Sequence, residues 1–120
     1  MTELIDTHVH LYDSDFELDI ADVVAIAKSS GVSKVVLPAV DSSSYNKMTE
    51  LSLSLQGFAY PSLGLHPTSV KDNWRDELEF VRSYTFMLKT RFEEKLKIEI
   101  DVQPDQDDYI VPMSMQLLIE

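Results

Sequence analysis

The chain is a succession of short apolar runs and amphipathic stretches separated by turn residues. Leu4 and Ile5 open a predicted first strand over residues 3–8, and its apolar start would bury it in a sheet. Asp13-Ser14-Asp15 is turn chemistry. A helix is predicted from about Asp19, with Val23, Val24, Ile26 and Ala27 on its apolar face and Gly31 at its C-terminal stop. Lys34-Val35-Val36-Leu37-Pro38-Ala39-Val40 carries a continuous apolar run, the signature of a strand buried on both faces of a parallel sheet. Asp41-Ser42-Ser43-Ser44 then offers several helix N-caps, and Tyr45, Met48, Leu51 and Leu55 keep helical spacing up to Gly57. Phe58-Ala59-Tyr60-Pro61-Ser62-Leu63 reads as a third strand, running into Gly64-Leu65-His66-Pro67. A further helix from about Trp74 to Lys89 carries Leu78, Val81, Met87 and Leu88. Strands and helices alternating through short connections predict an α/β fold with parallel strands and right-handed crossovers.

Composition narrows the class. At 120 residues the chain suits one domain, residues 1–120, and its 44% hydrophobic content can supply a core. No segment approaches the roughly 18 consecutive apolar residues of a membrane span, and no basic region precedes an apolar one at the N-terminus, so neither a membrane protein nor a secretory signal is expected. A cytoplasmic protein is the default. With zero cysteines, disulfides and thiolate metal sites are excluded, and any metal must be held by imidazole and carboxylate. Asp plus Glu is 21 against 10 for Lys plus Arg, a net charge of −11. Such a surface does not hold long DNA by electrostatics alone, because counterion release needs clustered Lys and Arg. An acidic chain can still act on phosphodiesters where bound divalent cations meet the phosphate. Otherwise the charge simply serves solubility.

The candidate chemistry sits at the strand ends. His8 and His10 lie where the first strand should finish, and residues i and i+2 of a strand face the same side, so two imidazoles can meet one ion. Asp6 shares that face and could orient an imidazole from behind. Asp41 falls at the end of the second strand and His66 at the end of the third. In α/β folds ligands collect at the carboxyl ends of parallel strands, and all three histidines of the chain fall on that edge. An isolated His-x-His is as readily a chance occurrence, and a lone His66 ahead of Pro67 would more often be a turn residue.

Taken together, Ile5-Asp6-Thr7-His8-Val9-His10-Leu11, Gly31-Val32, Val35-Val36-Leu37-Pro38-Ala39-Val40-Asp41 and Gly64-Leu65-His66-Pro67 resemble the opening of the TatD-type metal-dependent deoxyribonucleases, members of the amidohydrolase-like superfamily of (β/α)-barrel hydrolases. The resemblance covers roughly residues 3–82. It implies a partial TIM-barrel-like fold of three to four β/α units. It also implies hydrolysis of DNA or another phosphodiester by metal-activated water at two divalent cations, magnesium, manganese or zinc. By resemblance His8 and His10 are ligands of the first cation, His66 lines the phosphate site, and Asp6 supports the ligands from behind.

Residues 83–120 read as a divergent tail. The family's bridging glutamate has its nearest counterpart in Lys97-Ile98-Glu99-Ile100-Asp101, which keeps Glu-Ile without flanking glycines. Glu93 and Glu94 match the family's spacing better, without a sequence match. Leu96, Ile98, Ile100 and Val102 alternate with polar positions, so Glu99 is read either as a metal ligand by resemblance or as a solvated carboxylate on a half-exposed strand. No histidine follows His66, so at most one cation is expected to bind well. A complete barrel takes about 250 residues, and truncation or a frameshift near residues 83–90 is the expectation that fits. A partial barrel leaves a sheet edge unpaired, to be covered by Tyr109–Ile119 or by self-association. Three readings remain: a metal-dependent hydrolase of this type, a catalytically inactive fragment of one, or a small α/β interaction domain with incidental histidines.

Overall fold

The computed structural model describes residues 3–92 together with residues 117–118. Strand β1 (Leu4–Asp6), helix α1 (Ile20–Ser29), strand β2 (Val32–Pro38), helix α2 (Tyr45–Ser54), strand β3 (Ala59–Leu63) and helix α3 (Trp74–Phe92) follow in the order read from the sequence. Each strand-to-helix connection contains a short 3-10 turn, at Ser14–Phe16, Ser42–Ser44 and Pro67–Ser69. Strand β2 pairs in parallel with β1 on one side and β3 on the other. Parallel neighbours require a crossover, and α1 and α2 supply the two. The result is a small α/β unit with a three-stranded parallel sheet, the repeating pattern of a (β/α) barrel.

The turn residues act where the sequence puts them. Ser30 N–H donates to the carbonyls of Ile26 and Ala27, and Gly31 follows with a φ of 97°, a left-handed conformation that closes α1 without a Cβ penalty. Asp41 accepts hydrogen bonds from Ser43 N–H and Ser44 N–H, capping the turn that leads into α2. Both of these backbone bonds, and the shorter one from the Ser43 hydroxyl, hold its carboxyl below the usual range, the Ser43 hydroxyl first.

Val24 on α1, Val35 and Leu37 on β2 with Ala39 just beyond it, Met48 on α2, and Phe58 leading into β3 with Ala59 at its start form one core. Positions 35, 37 and 39 keep the period of two that a strand demands. Burying side chains such as Leu37 and Met48 stabilises by about 1.5–3 kcal/mol each. Both are essentially inaccessible to solvent.

Several expectations change. The first strand ends at Asp6 rather than residue 8. Its apolar residues are not buried: Leu4 is 50% and Ile5 55% exposed, because among the described residues β1 is an edge strand with β2 as its one neighbour. Ile26 and Met87, read as core positions, are exposed. On α3 the inward row is Leu78, Val81, Thr85 and Leu88, all buried, a spacing of three and four that leaves position 87 on another face. Strand β4 (Leu117–Leu118) runs antiparallel beside β3, with Leu117 opposite Leu63 and Leu118 opposite Ser62. The expected cover from Tyr109–Ile119 is therefore realised at these two residues. No described helix is long and apolar enough to cross a membrane.

Candidate metal centre

The three histidines meet at the carboxyl edge of the sheet. Beyond Asp6 the chain stays extended because Val9 N–H donates to the Val36 carbonyl at 3.1 Å, so the strand alternation continues past the strand itself. Val9 and Leu11 pack toward the core, and His8 and His10 project from the alternate positions. His66 is held from the loop after β2: its N–H donates to the Val40 carbonyl at 2.8 Å, and it caps the turn Pro67–Ser69, with Pro67 at the first turn position.

The ring centroids form a triangle of 5.0 Å (His8–His10), 5.4 Å (His10–His66) and 5.7 Å (His8–His66). Each ring offers a nitrogen, and the three nitrogens lie within 4.8 Å of one another. His8 Nε2 stands 3.2 Å from His10 Nε2. Two nitrogens bound to one tetrahedral cation at about 2.0–2.1 Å are roughly 3.3 Å apart. The pair therefore fits a single cation with hardly any rearrangement.

The surroundings make the rings unequal. His10 Nδ1 lies 3.0 Å from the Pro38 carbonyl and 2.9 Å from the Tyr12 hydroxyl oxygen, and the Tyr12 hydroxyl donates to that same carbonyl. Burial, then the neighbouring His8 ring and further the His66 ring, push the His10 pKa down, against the opposing pull of the Pro38 carbonyl and Asp13. A neutral imidazole, the form that can ligate, is thus favoured. At His66, Thr68 N–H donates to Nδ1 at 3.3 Å, with the Thr68 hydroxyl oxygen 2.8 Å from the same nitrogen. A nitrogen that accepts an N–H carries no proton, so the neutral His66 ring presents Nε2–H, a donor.

Of the residues singled out in the sequence, His8, His10 and His66 come together. Asp6 is adjacent but serves the backbone: its Oδ1 accepts the N–H of His8 at 3.0 Å. Asp41 is committed to capping. Glu99, with Glu93 and Glu94, lies outside the described residues. Among the described residues the histidine cluster contains no carboxylate. Tyr12, Thr68 and the Pro38 carbonyl were missed. Tyr12 sits in the turn closed by the Asp13 N–H on the His10 carbonyl, where strand alternation no longer applies, and a backbone carbonyl leaves no mark in the residue type.

Comparison with known proteins adds an independent line. The family model described as TatD related DNase matches residues 5–96, further along the chain than the motifs at residues 3–82. The chain is 41% identical over 64 residues to Deoxyribonuclease TATDN3 of Homo sapiens, an overlap of 53% of this chain and 23% of that protein. It is 38% identical over 63 residues to Putative deoxyribonuclease tatdn3 of Danio rerio, covering 52% of this chain and 24% of the relative. Against Uncharacterized metal-dependent hydrolase YabD of Bacillus subtilis the identity is 27% over 79 residues, 66% of this chain and 31% of that one. The matched part thus spans a quarter to a third of the length of these relatives.

Proposed function

Because this chain belongs to the TatD-related DNase family, we propose that His8 and His10 hold one divalent cation and that His66 beside them binds a phosphate of DNA or another phosphodiester. The observation that carries this reading is the 3.2 Å separation of the His8 and His10 Nε2 atoms at the carboxyl edge of the parallel sheet. A divalent cation, magnesium, manganese or zinc, supplies Lewis acidity and activates water for phosphodiester hydrolysis.

The chain's own residues do the rest. The Pro38 carbonyl holds His10 so that Nε2 faces His8. Asp6 ties down the backbone N–H of His8 and limits how the loop can swing. Thr68 leaves His66 with a proton on Nε2, and that N–H can donate to an anionic phosphate oxygen beside the cation pair. Local positive charge from the cation offsets the net charge of −11 that would otherwise repel a polyanion.

A second reading, a cation-binding unit that does not turn over by itself, is favoured by the cluster's composition. Among the described residues the cluster is three imidazoles, one of them set as a donor, which are fewer ligands than a two-cation centre uses, and no described carboxylate joins them. Glu99 is proposed as a further ligand by family resemblance alone. The exposed Leu4 and Ile5 edge of β1 supports self-association as part of the same picture.

The experiment is cleavage of a fluorescent DNA oligonucleotide by the purified chain with added magnesium, manganese or zinc. Metal-dependent cleavage lost in His8→Ala supports the hydrolase. Cation binding without cleavage supports the second reading. Cleavage indifferent to His8→Ala removes the histidine pair from the account.

A further inference from the structure

Tyr12 makes a closed triangle with His10 and the carbonyl of Pro38. The atoms are His10 Nδ1, Tyr12 Oη and Pro38 O, each within hydrogen-bond distance of the other two. Counting protons settles which way the bonds run. The carbonyl has none to give. Tyrosine has one, and its closest partner in the triangle is the carbonyl, so the phenol proton goes there. The Tyr12 oxygen is then left with lone pairs facing His10. An unprotonated Nδ1 at that position would set its own lone pair against two oxygens at 2.9 and 3.0 Å. A proton on Nδ1, donated between the two oxygens, satisfies both contacts and avoids that repulsion.

We propose that Tyr12 is a positioning residue that fixes His10 in the Nδ1–H tautomer and so keeps the Nε2 lone pair turned toward His8 for a cation. The inference deepens the reading of this site as a metal centre and rests on it for its consequence, although the tautomer itself does not depend on any metal. Tyr12 adds more than the carbonyl alone could. A single acceptor sets the tautomer but lets the ring pivot about one bond, whereas two oxygens flanking Nδ1 reinforce the tautomer and also fix the ring plane. The Tyr12 ring also stands edge-on to His10, with centroids 5.6 Å apart and planes at 85°. Its hydroxyl reaches back to a carbonyl 26 residues further along the chain, and so ties the loop after β1 to the end of β2. This is the relation between a ligating histidine and its outer partners that commonly tunes metal sites.

The test has a readout that needs no bound metal. Long-range proton–nitrogen NMR of the metal-free full chain reports which ring nitrogen of His10 carries the proton. The expected spectrum is Nδ1–H in the wild type, with a cross-peak from that proton to the Tyr12 hydroxyl proton. In Tyr12→Phe, which keeps the ring and removes only the hydroxyl, the cross-peak to the hydroxyl is lost, the Nδ1–H resonance is expected to broaden as the ring pivots on the Pro38 carbonyl alone, and zinc affinity by calorimetry should fall roughly 10-fold, the low end for loss of an outer partner. An Nε2–H tautomer in the wild type overturns the proposal whether or not the variant folds. So does a folded Tyr12→Phe with an unbroadened Nδ1–H resonance and unchanged zinc affinity. If the wild-type tautomer is as stated but zinc binds nowhere near His10, the metal-site reading fails while the tautomer assignment survives.

Discussion

Glu77, on α3, accepts hydrogen bonds from both the backbone N–H and the hydroxyl of Ser42, at 2.8 and 3.0 Å. Its side chain is largely buried, and Asn73 donates to it as well at 3.3 Å. The contact fastens α3 to the loop after β2, the same loop whose Val40 carbonyl holds His66. Glu77→Ala leaves the half-buried Ser42 N–H without its partner and is expected to cost about 1 kcal/mol, the low end of the penalty for an unmet donor. Urea denaturation measures it. A midpoint equal to the wild type would show that the loop and α3 are joined by other means.

Lowering the pH should destabilise the metal-free protein in a defined window. Burial, followed by the neighbouring imidazoles, lowers the His10 pKa below its ordinary 6.5. The unfolded chain takes up a proton near 6.5, and the folded one only at lower pH. Between those values the unfolded state binds more protons, so stability declines as pH falls and His10 contributes no further change below its folded value. Urea midpoints from about pH 7.5 down to about pH 5 should therefore drop in the wild type and less in His10→Gln. Equal slopes for the two proteins would contradict the assignment.

His66 and the His8–His10 pair should separate by function. His66→Asn removes the Nε2–H donor without touching the 3.2 Å pair. Affinity for a short DNA oligonucleotide in the presence of manganese should fall by about 10-fold, in keeping with loss of one hydrogen bond to a charged group. Manganese affinity measured alone should stay within about two-fold, which is below 0.5 kcal/mol. Loss of both together would make His66 a ligand instead.

The β1 edge is expected to drive self-association, since Leu4 and Ile5 are exposed on a strand with one described neighbour. Ile5→Lys places a charge on that edge, a common guard against strand pairing. Sedimentation across a concentration series should show the wild type associating and the variant moving toward monomer. A wild type that remains monomeric throughout would remove the edge from consideration.

The order of elements was legible because β2 and the helices carry strong local signals: the Val35–Leu37 run, the Gly31 stop and the Met48 register all act within a few residues of where they are read. The faces of Ile26 and Met87 were not, since several apolar residues on one helix compete for the inside and only the packed partner decides. β1 misled for a related reason. Its apolar start describes a strand with neighbours on both sides, and the described sheet gives it one. At the site, His8, His10 and His66 were readable from residue type and strand-end position. The partners that make them unequal were not, because the Pro38 carbonyl and the Thr68 N–H are backbone groups brought in by the fold. Asp6 was expected at a ring and instead holds the His8 N–H, a local turn-like contact two residues away that competes with longer reach.

The most direct measurement is calorimetric titration of zinc into the wild type, His8→Ala and His10→Ala, at a pH where imidazoles are neutral. The account predicts a single strong site in the wild type, lost in both variants, with circular dichroism unchanged because neither ring is part of the hydrophobic core. Zinc binding of equal strength in all three proteins would contradict the metal centre at the carboxyl edge of this sheet.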